Sequence, residues 1–148
     1  MSNPAPNQRV SLITLGVANL ARSIQFYRDL GWSPHARSLD DICFFQMNGF
    51  ALALYEINAL ADDQKRPVTA IGTGAITLAQ NFDSEGEVDA SFERAIAAGA
   101  TTIKKPEKAF WGGYSGYIAD PDGHIWELAM NPNWPLSEDG SLILPDPK

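Results

Sequence analysis

Residues 116–132 read GYIADPDGHIWELAMNP, and one of them looks out of place. Ile125, Trp126, Leu128, Ala129 and Met130 have the apolar character of a buried strand, yet Glu127 stands among them. Burying a carboxylate there is costly unless something pairs with it or water reaches it. Strand alternation resolves the conflict: Ile125, Glu127, Ala129 and Asn131 share one face, and Trp126, Leu128 and Met130 the other. The second set is expected under a helix, and Glu127 is expected to point into a cavity. The Asp120-Pro121-Asp122-Gly123 run ahead of it reads as the turn of a strand hairpin.

Working outward, the same kind of unit occurs twice. LITLGV (12–17) recurs as AITLAQ (75–80), RSIQFYRDLG (22–31) as ASFERAIAAG (90–99), and NGFALAL (48–54) as DGHIWEL (122–128). The offset grows along the chain, as loop insertions in a duplicated unit would make it. Val10 to Val17 is the expected first strand. A helix follows, with Asn19 as N-cap, Leu20, Ile24, Tyr27 and Leu30 at helical spacing, and Gly31 at its end. Asn48-Gly49 between two β-rich runs signals a hairpin, because both residues tolerate positive φ. In the second half, Ser84 and Glu87 form a capping-box pair, and Val88, Phe92, Ala95 and Ile96 make a buried stripe. An extra strand is expected around WSPHARS (32–38).

The resulting division is an N-terminal tail (1–8), a first module (9–58), a linker (59–73), a second module (74–131) and a proline-rich C-terminal tail (132–148). Each sheet, covered on one face by its helix, leaves its other face free to enclose something.

Composition narrows the function. Eleven basic against eighteen acidic residues give a net charge of −7, which disfavours nucleic acid and anionic membranes but leaves neutral or cationic small ligands open. Solubility alone also accounts for that charge. The single cysteine, Cys43, excludes an intrachain disulfide and reads as a small core residue. The polar start and the lack of a long apolar run point to a soluble, cytoplasmic protein. A phosphate loop, a dinucleotide fingerprint and a nucleophile elbow are all missing; Ser115 in YSG has no partners for one.

VANLARSIQFYRDLGW (17–32) and GYIADPDGHIWEL (116–128) resemble the first strand-to-helix passage and the closing hairpin of the vicinal oxygen chelate superfamily, which includes glyoxalase I, extradiol dioxygenases and bleomycin-resistance proteins. The resemblance spans roughly residues 8–131. It implies an α+β fold in which two duplicated βαβββ modules form a cupped, half-barrel sheet with the helices outside, commonly completed as a homodimer. It also implies four metal-ligand positions, which here are Leu12, Ala53, Ala75 and Glu127. Only Glu127 is a donor, and divalent ions generally require several fixed protein donors. His124 falls on the strand face opposite Glu127; His35, in the expected second strand, is the other histidine. The resemblance therefore implies a member that has lost its metal ligands and uses no cofactor.

On this reading the cup is lined by Val10, Leu12 and Thr14, by Ala51, Ala53 and Tyr55, and by Ala75, Thr77 and Ala79. Small and apolar groups of this kind make a roomy small-molecule site; collapse of nearby aromatics into it is the alternative. In FWGGYSGY (110–117), Trp111, Tyr114 and Tyr117 offer either a ligand-stacking rim or the packing of a bulged strand. Trp134 either closes that rim or anchors the tail.

Glu127 has three readings: a general acid or base whose pKa burial raises, a partner for a ligand's cationic or hydrogen-bonding group, or an ancestral relic satisfied by water or hydroxyls. The ligand-binding candidates are Glu127, Tyr55, Trp111, Tyr114, Tyr117, Leu12, Thr14, Thr77 and Asn131, with Glu127 the one catalytic candidate. The expectation is a metal-independent small-molecule-binding protein of the bleomycin-resistance type. The alternatives are a glyoxalase-like lyase or isomerase using Glu127 as base, or a metal-dependent glyoxalase or dioxygenase.

Overall fold

The computed structural model describes residues 5–36 and 39–147. The first module runs β1 (Leu12–Val17), α1 (Leu20–Asp29), β2 (Ile42–Gln46) and β3 (Ala51–Glu56). A connecting α2 (Ile57–Gln64) and a 3-10 turn at Val68–Ala70 follow. The second module runs β4 (Thr77–Asn81), α3 (Glu85–Ala98), β5 (Thr101–Lys108), β6 (Tyr114–Ala119) and β7 (Ile125–Met130). The sheet orders β1-β3-β2 and β4-β7-β6-β5 repeat one topology, with the first strand parallel to the last. These are two βαβββ-like repeats. No described helix is long and apolar enough to cross a membrane.

The local signals act as their chemistry requires. The Asn19 side chain accepts the Arg22 N–H at the start of α1. Ser84 accepts the Glu87 N–H at the start of α3, and Glu87 reaches back to the Asp83 N–H. Gly49 turns the β2–β3 hairpin at φ +81°. The segment expected as an extra strand is not a regular one in its described part, although the His35 and Leu39 N–H groups donate to the carbonyls of Phe44 and Ile42 beside β2; Arg37 and Ser38 lie outside the described residues. The first part of the linker belongs to a helix, α2, that begins at Ile57. Its terminal Lys65 adopts a left-handed conformation, and its start is capped by the Glu56 carboxylate.

The duplicate register also needs adjusting. Leu12 pairs with Ala51 and Thr77 with Ile125, so Thr77, not Ala75, stands where Leu12 stands. Ala75 precedes the strand in a bend.

The expectation of a cupped half-barrel is contradicted. The strands form two separate sheets, neither closed nor strongly curled, and β1 is not paired with β4. The cause lies in the packing. Helices α1 and α3 touch each other, and a single core draws Phe26, Tyr27, Phe45, Leu52, Val88 and Trp126 from both modules. The helix-bearing faces are therefore spent on one another, and the opposite faces turn outward. Part of the first outer face is filled from within the chain: α2 packs on β1 and β3, and a Cβ on Gly16 would lie 3.2 Å from Leu60 and 3.3 Å from Ile71. Ala53, on that same face, is fully buried and lines no open cavity.

The two modules are locked by the Asp-Pro-Asp-Gly turn, which the sequence marked only as a turn. Buried Asp120 accepts the N–H groups of Asp122 and His124 on Oδ1 (both 2.9 Å) and the Tyr27 hydroxyl on Oδ2 (2.7 Å). That hydroxyl in turn accepts Trp126 Nε1 at 3.1 Å. Asp122 accepts the Ala18 N–H at 2.8 Å and the Ser23 hydroxyl at 2.8 Å, and it pairs with Arg22 at 3.2 Å. His124 Nε2 donates to the Gly16 carbonyl at 2.8 Å. Burial, and then the Asp120 charge, holds the Tyr27 phenol well above its ordinary pKa. Around it, Tyr27 stacks on Trp32 with centroids 5.4 Å apart, and Trp32 meets Trp126 edge-on at 5.6 Å. Such pairs add about 1 kcal/mol each beyond their buried area.

Replacing Tyr27 with Phe leaves Asp120 Oδ2 and Trp126 Nε1 without their partner. We expect a loss of about 2–3 kcal/mol, measured as a shift of the urea midpoint at unchanged slope. A loss below about 0.5 kcal/mol would mean that the turn does not lock the modules.

Candidate functional site

The outer face of the second sheet is built by alternation along its strands. Trp126 and Leu128 of β7 are buried in the core, which turns Ile125, Glu127 and Ala129 the other way. Across from Glu127 stand Tyr117 on β6 and Ala79 on β4. Tyr117 donates its hydroxyl to Glu127 Oε2 at 3.1 Å, so the carboxylate in the apolar strand faces a phenol at a half-buried position. Burial, and then the charge of Glu127, pushes the Tyr117 phenol above its ordinary range. Lys104, opposite Tyr117 on β5, acts weakly in the other sense and is itself paired with Glu107 at 3.1 Å. The positions flanking the pair are small: Ala79 is exposed, whereas Ser115 and Ala129 are buried.

The remaining candidates are spread over the molecule. Leu12 and Thr14 are exposed on the outer face of the first sheet, and Tyr55 is half-buried there, its phenol raised by desolvation and then by Asp63 and Asp41. Thr77 is exposed beside Ile125 on the Glu127 face. Asn131 ends β7 in a turn, accepting the Asn133 N–H on its side chain. Tyr114 lies on the face of β6 opposite Tyr117 and donates to Asp89 of α3 at 2.7 Å. Tyr114 and Tyr117 therefore do not form one rim.

Of the three glycines of FWGGYSGY, Gly112 adopts a positive φ of +94°, and the other two have packing reasons. A Cβ at Gly113 would fall 1.6 Å from the Trp111 ring, and one at Gly116 would fall 2.9 Å from the Lys104 carbonyl, where β5 is bulged against β6. Phe110 at the hairpin tip is fully exposed.

These positions do not fit a divalent ion. The counterpart of Glu127 in the first sheet is Ala53, and the strands beside the two contribute Thr14 and Ala79. His124 is buried against the Gly16 carbonyl. Among the described residues, no three His, Cys, Asp or Glu side chains gather into a group that could hold a metal. The site's chemistry is that of one carboxylate with one phenol.

A large cleft of about 860 Å³ lies between the sheets; Thr77 and Ala79 of the Glu127 face border it, and Glu127 does not. Sequence periodicity could not have found it, because it depends on how two modules and the tail meet.

Known structures carry the same fold. A glyoxalase-related enzyme from Fulvimarina pelagi is 42% identical, with a TM-score of 0.87 over 93% of this chain and 99% of its own. A glyoxalase/bleomycin resistance protein/dioxygenase family enzyme from Burkholderia phytofirmans is 18% identical and shares the fold alone, with a TM-score of 0.74 over 81% of this chain and 96% of its own. Uncharacterised proteins of Mycobacterium tuberculosis are 33% identical over 86 residues, 57% of this chain, and that match spans about half (49%) of their length. The model of the Glyoxalase/Bleomycin resistance protein/Dioxygenase superfamily matches residues 9–128, and the chain belongs to that superfamily.

Proposed function

We propose that the protein binds a small molecule on the Glu127 face without a metal, the ligand presenting a cation or a hydrogen-bond donor to the carboxylate. The observation that carries this reading is the Tyr117–Glu127 hydrogen bond on a sheet face of small residues, where no group of three His, Cys, Asp or Glu among the described residues could hold a metal. The phenol holds the carboxylate in one orientation, and fixed polar groups of this kind on a largely apolar surface select a ligand by its hydrogen-bonding edge.

We further propose that a second copy closes over this face. One copy leaves Val10, Leu12, Ile76 and Ile103 more than half exposed, at 61%, 51%, 57% and 54%. Apolar side chains left open to water in this way favour association. The second reading is a metal-independent lyase or isomerase in which Glu127 moves a proton and Tyr117 steadies it. It is favoured by the resemblance to a protein described as a glyoxalase-related enzyme at 42% identity.

Ligands are to be sought by thermal shift in the presence of a chelator, followed by calorimetry. The binding reading expects Glu127→Gln to keep the melting temperature and lose at least about tenfold in affinity, the cost of a charge-assisted hydrogen bond. Binding that ignores Glu127→Gln would sink it. If Glu127→Gln keeps the affinity but abolishes turnover, the enzyme reading holds instead. Sedimentation equilibrium is expected to give a dimer, and Leu12→Lys a monomer with unchanged circular dichroism. A wild-type monomer at all concentrations would contradict the closing copy.

A further inference from the structure

We propose that the cleft between the two sheets is a second binding site, which meets the Glu127 face at Thr77 and Ala79 but is not lined by Glu127, and that it takes a flat aromatic cation. Its volume, about 860 Å³, is that of a small-molecule site. It wraps the free edge of β4, where Gln80 is exposed, and reaches inward to Ile13, Phe45 and Leu52 of the first sheet. Trp32 and Trp126, set edge-on at 69°, line its inner end. Trp126 is buried and Trp32 half-buried, and a half-buried ring bordering a cleft offers a planar group a surface to stack on.

Charge selects the class of ligand. Two carboxylates, Glu87 and Asp139, border the cleft, and no Lys, Arg or His does among the described residues. Arg94 borders a smaller adjoining pocket of about 80 Å³ that shares Trp32, Gln80 and Trp126. Asp139 is firmly set: it accepts the Ser137 hydroxyl at 2.7 Å and the Ser141 hydroxyl and N–H at 2.6 and 2.9 Å. The Ser141 and Ser137 hydroxyls lower its pKa to about 2, so it stays charged at any physiological pH. A cation beside aromatic faces gains from both the ring quadrupoles and these carboxylates, whereas an anion is repelled.

The C-terminal tail supplies the outer wall. It crosses from the end of β7 to the β2–β3 turn, where Asn48 Nδ2 donates to the Asp139 carbonyl at 2.9 Å. Leu136 and Leu142 of the tail line the cleft.

Equilibrium dialysis of the full chain against proflavine, a flat aromatic cation, tests this, with a tricyclic aromatic sulfonate of the same size as the anionic control. Saturable proflavine binding is expected, and none by the sulfonate. Gln80→Trp, which fills the cleft, and Gln80→Lys, which adds a positive charge, are each expected to weaken proflavine binding by about tenfold or more. Both replace an exposed edge residue, and unchanged circular dichroism verifies folding. Glu127→Gln is expected to leave proflavine binding as it was. The proposal is overturned if proflavine does not bind, if the sulfonate binds equally well, or if both Gln80 variants bind like the native chain. Loss in Glu127→Gln alone also overturns it, by moving the ligand to the other face.

Discussion

One buried carboxylate decides how the two halves of this chain sit together. Asp120 leaves water almost completely, at 3% exposure, so its charge must be met by fixed donors. Two N–H groups of its own turn and the hydroxyl of Tyr27, in the other module, meet it. Because one donor comes from α1, satisfying Asp120 fixes the second module against the first. Asp122 repeats the device at the surface through Ala18, Arg22 and Ser23. With the turn clamped to the β1–α1 passage, Trp126, Trp32 and Tyr27 can fill one shared core.

That clamp has a consequence for function. Once the helix-bearing faces meet each other, the opposite faces of both sheets turn outward within one copy. The first is partly covered by α2 over Gly16, and the second keeps its Tyr117–Glu127 pair half-exposed. The same packing leaves a space between the sheets, where β4 has a free edge and the tail passes over. The chain therefore offers two chemically different surfaces. One is a carboxylate with a phenol on a small-residue sheet, and the other a cleft lined by Trp32 and Trp126 and bordered by two carboxylates.

Local physics was readable in the sequence where the signal is local. The Asn19 and Ser84 caps, the Asn48-Gly49 turn, the alternation around Glu127 and the duplication of strand, helix and hairpin depend on residues a few positions apart. The half-barrel was not readable, because curling depends on which faces the modules spend on each other, and that is decided by Asp120 and Tyr27, 93 residues apart. The register of the second copy failed for a related reason. AITLAQ matches LITLGV by letter, yet pairing with β7 places Thr77 opposite Ile125 and leaves Ala75 in a bend. Helix α2 was underestimated because its burying surface is Gly16, visible only in three dimensions. In FWGGYSGY the aromatic spacing suggested one rim, but Tyr114 and Tyr117 sit three apart on a strand and so face opposite ways.

The account stands on Glu127 acting as a carboxylate beside a phenol and not as one ligand of a metal. Calorimetric titration of untagged, chelator-treated protein with zinc, manganese, nickel and magnesium ions, run in parallel on Glu127→Gln, tests this most directly. The account predicts no stoichiometric, saturable binding by either protein. A metal bound tightly by the native chain and lost in Glu127→Gln would contradict it, because Glu127 would then be shown to share an ion with donors this fold does not bring to it.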